Sequence, residues 1–133
     1  MIVVDTSAAM AILVDEPAGS ALAAVLTAED DAVMSAASLV ELGMVLEGRI
    51  GAVAGQKIDQ FVRDMGIEIV PVDRPGAERS LEGWRRFGKG RHPAGLNLGD
   101  CFTYGLAATL GHPILCTGDD FARTDVAVVP VGP

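Results

Sequence analysis

Only two cysteines and two histidines occur in the 133 residues. Cys101 and Cys116 form no C-x-x-C pair, and neither stands with His92 or His112 at zinc-ligand spacing. That argues against a structural zinc site and predicts buried thiols rather than a disulfide. Long apolar runs are also missing, and none approaches the roughly 20 residues of a membrane span. No basic region precedes the N-terminal apolar stretch, which Asp5, Asp15 and Glu16 interrupt. It does not read as a signal peptide, so a cytosolic (cytoplasmic) protein is expected. Basic residues are few as well. Ten Lys and Arg against eighteen Asp and Glu give a net charge of −8, which excludes a surface coated in positive charge.

What is present fits one globular domain over residues 1–133. Half of the residues are apolar, enough for one substantial core without staples. Short apolar runs at 2–4, 32–35, 67–72, 113–116 and 127–131 read as strands. Helical spacing covers 6–14, 17–27, 37–49, 56–65, 76–87 and 100–110. Gly88 to Leu98 is the longest loop and is expected to be mobile, and the last residues are expected to be ragged. Strands alternating with amphipathic helices imply a parallel sheet covered on both faces, with ligands bound beyond the carboxyl ends of its strands.

Four carboxylates sit in awkward places. Asp5 ends the apolar run Ile2-Val3-Val4, where it is either a helix cap or, if Thr6 or Ser7 does the capping, a free side chain. Glu41 lies on a helix carrying Leu39, Val40, Leu42, Met44, Val45 and Leu46. At about 100° per residue these cover nearly the whole circumference, so that helix is expected to be mostly buried and Glu41 to need a partner. Asp100 sits in the first turn of its helix, which Asn97 is placed to cap, with Thr103 and Tyr104 on the same face. Asp119 and Asp120 follow the run Ile114-Leu115-Cys116, in a Gly-Asp-Asp sequence that also suits a plain turn.

Taken together, oxygen ligands without His or Cys select a hard cation, Mg²⁺ or else Mn²⁺. Clustered carboxylates need such counter-charge to ionise together. Five of the ten basic residues fall between 79 and 91: Arg79, Arg85, Arg86, Lys89 and Arg91. They form either a phosphate-contacting rim or a solvated helix face paired with Glu78 and Glu82. A metal facing a basic rim points to chemistry on a phosphate ester.

The chain resembles the PIN-domain nucleases, and within them the VapC-type toxins of bacterial toxin–antitoxin pairs. The resemblance rests on four blocks: Val3-Val4-Asp5-Thr6-Ser7-Ala8, Ser35-Ala36-Ala37-Ser38-Leu39-Val40-Glu41, Leu96-Asn97-Leu98-Gly99-Asp100-Cys101-Phe102, and Leu115-Cys116-Thr117-Gly118-Asp119-Asp120-Phe121. It implies a PIN-domain-like α/β/α sandwich with a central, mostly parallel sheet of four to five short strands. It also implies Mg²⁺-dependent endonucleolytic cleavage of RNA, a homodimer, and a cognate VapB-type antitoxin. By motif match Asp5, Glu41 and Asp100 take the metal-site roles. The T-x-D pattern after Thr117 gives Asp119 the fourth, with Asp120 in reserve. Thr6 or Ser7 would hold the site by hydrogen bonds, and Arg85, Arg86, Lys89 and Arg91 would steer RNA.

Two other readings remain open. One is an interaction module that binds its antitoxin with little catalysis of its own. The other is a phosphotransfer domain with Asp5 as phosphoacceptor. Against the latter, Ser7 stands where a dehalogenase-like fold wants a second Asp, and no Lys lies in the last strand regions.

Overall fold

The computed structural model describes residues 1–132. Pro133, part of the tail expected to be ragged, lies outside the described residues. Four strands, β1 (Ile2–Val4), β2 (Ala32–Ser35), β3 (Ile67–Val70) and β4 (Ile114–Leu115), pair in the order β3-β2-β1-β4, all parallel. The helices are α1 (Thr6–Leu13), α2 (Gly19–Ala28), α3 (Ala36–Ile50), α4 (Ala54–Asp64), α5 (Arg74–Phe87) and α6 (Leu98–Leu110).

The period of two along a strand sends alternate side chains to opposite faces of the sheet. Ile2, Val4, Met34 and Leu115 pack with Leu22, Leu26, Leu42, Leu46, Ile58 and Phe61. Val3, Val33, Ile114 and Cys116 pack with Phe87, Leu96, Tyr104 and Ala107. Helices α1 to α4 therefore cover one face and α5 and α6 the other, which gives the α/β/α sandwich. Helices α5 and α6 lie unusually close, because a Cβ at Gly83 would overlap the Tyr104 ring.

The fifth expected strand, 127–131, is reduced to one bridge between Ile114 and Val128. Ile114 N donates to Ala127 O and Val129 N to Ile114 O. Pro130 follows and has no N–H to extend the ladder. The loop before α6 has more internal structure than its composition suggests. Lys89 N donates to Leu96 O and Leu96 N to Phe87 O, while Ala94 and Leu96 are buried. His92 stands edge-on to Phe87 and its Nδ1 accepts from Ala94 N. The loop is thus a folded segment with its own core contacts. Helix α3 also departs from expectation. Leu42 and Leu46 are buried, but Val40 is 62 % and Met44 72 % exposed. The chain packs only one side of this largely apolar helix and leaves Val40 and Met44 on the other side exposed.

Successive connections carry the chain from β1 to β2 to β3 in one direction, and then α6 feeds β4 on the opposite side of β1. The order reverses between β1 and β4. Their carboxyl ends form the crevice where such sheets bind ligands, and Asp5 and Cys116-Thr117 follow those two ends directly.

Candidate active site

Asp5 caps α1 and also stands at the crevice between β1 and β4, so the alternatives expected for it are not exclusive. It precedes α1 with extended backbone, and its Oδ2 accepts from Ser7 N at 3.0 Å and Ser7 Oγ at 2.7 Å. Its Oδ1 accepts from Thr103 Oγ1 at 2.6 Å. Three hydrogen bonds satisfy a carboxylate that is only 4 % exposed. Ser7 Oγ also accepts from Thr117 N at 3.0 Å, which ties the end of β1 to the end of β4. Thr6 Oγ1 turns away and donates to Ser38 O.

Asp100 arrives from the other layer. Asn97 caps α6 by accepting from Asp100 N, and Asp100 Oδ2 accepts in return from Asn97 N. This capping box fixes the first turn and aims Asp100. Burial pushes the Asp100 carboxyl up to about 6, against the pull of the Asn97 N–H. The charges of Asp5, Asp120 and Glu41 raise it further, so all three lie within electrostatic reach of Asp100.

Glu41, half-buried on α3, reaches the same place by a close approach. A Cβ at Gly99 would stand 2.6 Å from Glu41 Cδ and overlap Oε2. The bare glycine lets the first turn of α6 lie against this carboxylate, and a Cβ there would make the carboxylate shift. Gly99 borders the candidate site without having been singled out from the sequence, where its single signal is a glycine at the start of a helix.

The two adjacent aspartates part ways. Both are exposed, but Asp119 accepts from Arg123 Nη2 at 2.9 Å, while Arg123 Nη1 donates to Pro93 O. Asp120 has no ion pair among the described residues, and its charge reaches Asp100 and Cys116. Cys101 and Cys116 are buried free thiols, pushed up to about 11 and about 12 chiefly by burial. They are inert as nucleophiles.

The basic residues are divided in use. Arg86 pairs with Glu82 and Asp125 and lies over the Phe87 ring. Asp125 also accepts from Tyr104 OH at 2.8 Å, so Arg86 helps anchor the segment after β4. Arg91 stacks on Trp84 at 4.0 Å. Arg85 and Lys89 are exposed and form no ion pair among the described residues.

Asp5, Glu41, Asp100 and Asp120 form an all-oxygen set, and none has a Lys or Arg partner among the described residues. That donor set fits a hard divalent cation. No three Asp, Glu, His or Cys side chains among the described residues already close on one point in coordinating geometry. The fit therefore lies in donor chemistry and uncompensated charge.

The raised Asp100 carboxyl has a consequence without metal. Its native state holds a proton that the unfolded state has released, from the ordinary value of 3.8 up to about 6. That contribution to stability is present at low pH and lost as pH rises through about 6. Urea midpoints of metal-free protein should show Asp100→Asn gaining on wild type between pH 5 and pH 7. A difference that stays constant over that range would contradict the shift.

The PIN domain family model matches residues 2–127. Ribonuclease VapC30 of Mycobacterium tuberculosis is 42 % identical over 127 residues, which cover 96 % of this chain and 97 % of that one. Among solved structures, VapC20 of Mycobacterium tuberculosis, a sarcin-ricin loop cleaving toxin, aligns with a TM-score of 0.80 at 17 % identity. The alignment covers 97 % of this chain and 98 % of that one. VapBC2 from Rickettsia felis, bound to a DNA fragment from its promoter, aligns at 0.75 with 15 % identity over 98 % of each chain. The last two likenesses concern the fold. The family match and the relative of nearly equal length agree with the acidic crevice: this chain belongs to the PIN-domain family and, within it, to the VapC ribonucleases.

Proposed function

We propose that this protein is the toxin of a toxin–antitoxin pair, a cytoplasmic Mg²⁺-dependent endoribonuclease that hydrolyses RNA phosphodiester bonds at its acidic crevice. The observation that carries the reading is that the first turns of α6 meet both Asp5, through Thr103, and Glu41, at Gly99, beside Asp100, with no ion pair to these acids among the described residues. Asp5 and Asp100 would hold the ion most directly, and Glu41 and Asp120 would complete the site. When bound, Mg²⁺ or Mn²⁺ supplies activation of water and neutralisation of phosphate charge. The protein's own part is orientation. Ser7 and Thr103 fix Asp5, Asn97 fixes Asp100, and Gly99 admits Glu41. Arg85, Lys89 and Arg91 are left to meet RNA phosphates, an attraction that weakens as salt rises. Arg86 serves structure instead.

The test is purified protein with RNA and Mg²⁺, beside the same protein in EDTA and beside Asp5→Asn. Cleavage by wild type with Mg²⁺ alone is expected. Equal cleavage in all three reactions would sink the assignment. Gly99→Ala should fold normally yet push Glu41 out of place and lower cleavage about 10–100-fold. Unchanged cleavage would remove Glu41 from the site.

The bare surface formed by Val40, Met44 and Val45 on α3 and Leu98 on α6 supports protein partners as well. Leu98 is 76 % exposed, and Phe102 lies beside it. We assign this surface to docking with a VapB-type antitoxin and to the homodimer. Met44→Glu should weaken co-purification with the antitoxin or shift the sedimentation coefficient toward a monomer. A complex and an oligomeric state that both stay the same would contradict the assignment.

A further inference from the structure

Thr103 spends its hydroxyl in an uncommon way. A threonine inside a helix usually bonds the carbonyl four residues back. Thr27 and Thr109 do so here, donating to Ala23 O and Gly105 O at 2.7 and 2.8 Å. Thr103, 1 % exposed, instead donates across the layers to Asp5 Oδ1 at 2.6 Å. A carboxylate can only accept, and a threonine has one hydroxyl proton. The contact of 3.2 Å between Ser38 Oγ and Thr103 Oγ1 must then run from Ser38 to Thr103. The proton direction is set along a buried chain from Ser38 to Thr103 to Asp5. Ser38 is itself 1 % exposed, and its carbonyl accepts from Thr6 Oγ1.

This chain decides what Asp5 has left to offer. A carboxylate accepts at about four lone-pair sites. Ser7 takes both on Oδ2 and Thr103 takes one on Oδ1, so a single acceptor site on Oδ1 remains. We infer that Thr103, backed by Ser38, is a positioning residue that makes Asp5 a one-oxygen donor with fixed orientation toward a divalent cation. The inference rests on the reading of the crevice as a metal site. Outer partners of this kind orient ligands and alter metal affinity.

The experiment is a Mn²⁺ titration by calorimetry on wild type, Thr103→Val, Thr103→Ser and Ser38→Ala, with circular dichroism of each. Thr103→Val keeps the shape and removes the hydroxyl. It should weaken Mn²⁺ binding about 10–100-fold. Thr103→Ser restores the donor and should bind within about threefold of wild type, a rescue that a packing role would not give. Ser38→Ala removes the polarising donor alone and should weaken binding by a few-fold. Wild-type affinity in a folded Thr103→Val protein would overturn the inference while leaving the metal site standing. Should Thr103→Val fail to fold, unchanged affinity in Ser38→Ala overturns it. A wild type that binds no Mn²⁺ overturns the metal reading and the inference together.

Discussion

Asp100→Asn should lower RNA cleavage by ~10³-fold or more, equivalent to about 4 kcal/mol of transition-state stabilisation. The same change should leave metal-free protein at neutral pH as stable as wild type, or more so. The two effects separate because the ionised carboxyl is unwelcome in the native state until a cation meets it. Burial and the neighbouring charges of Asp5, Asp120 and Glu41 all oppose its ionisation. An asparagine keeps the oxygen that accepts from Asn97 N, so the capping box can persist. Melting curves with and without Mn²⁺ check the account from the other side. Wild type should gain stability from the ion, since a ligand bound only to the native state favours it. The variant should gain far less. A variant that cleaves RNA at the wild-type rate, or that unfolds at neutral pH without metal, would contradict this.

Asp120→Asn and Asp119→Asn should differ sharply, although the residues are adjacent. The first should lower cleavage by about 10²-fold. The second should change it by less than about threefold, since Asp119 is engaged with Arg123 in an exposed pair worth at most about 1 kcal/mol. Both variants should remain folded. Rates measured side by side on one RNA decide the matter, and a larger loss from Asp119→Asn would reverse the assignment.

The proposed choice of Asp120 over Asp119 rests on a contact that spacing does not reveal. The spacing from Thr117 favours Asp119, and spacing alone has no means of seeing Arg123. The guanidinium four residues on draws Asp119 aside and ties it to the loop at Pro93. Asp5 was legible because an apolar strand ends on it, and β1 lies centrally in the sheet. Glu41 stands out as a charge on a largely apolar helix and is half-buried, but the expected burial of α3 is too broad. Circumferential hydrophobicity marks a helix that will be covered, and does not say that its own chain does the covering. The fifth strand failed on Pro130, whose missing N–H outweighs the apolar run around it. The loop from Gly88 to Leu98 carries the glycines and charges of a mobile segment, yet Leu96 pins it to the core. The partners of Asp5 were the least visible. Thr103 lies 98 residues away, and only the packing of α6 over β1 brings the hydroxyl to the carboxylate.

The net charge of −8 also takes on a different sense. It excludes a coat of positive charge, and the charges of Asp5, Glu41 and Asp120 all bear on Asp100. On the proposed reading, a bound cation would offset part of the imbalance.

The most direct measurement is anomalous diffraction from crystals of the protein grown with Mn²⁺. The expected result is one strong peak about 2.1 Å from carboxylate oxygens of both Asp5 and Asp100, with Glu41 and Asp120 turned toward it. Ordered density for Asp5 and Asp100 with no peak between them, or Mn²⁺ bound only elsewhere on the surface, would contradict the metal-dependent nuclease site.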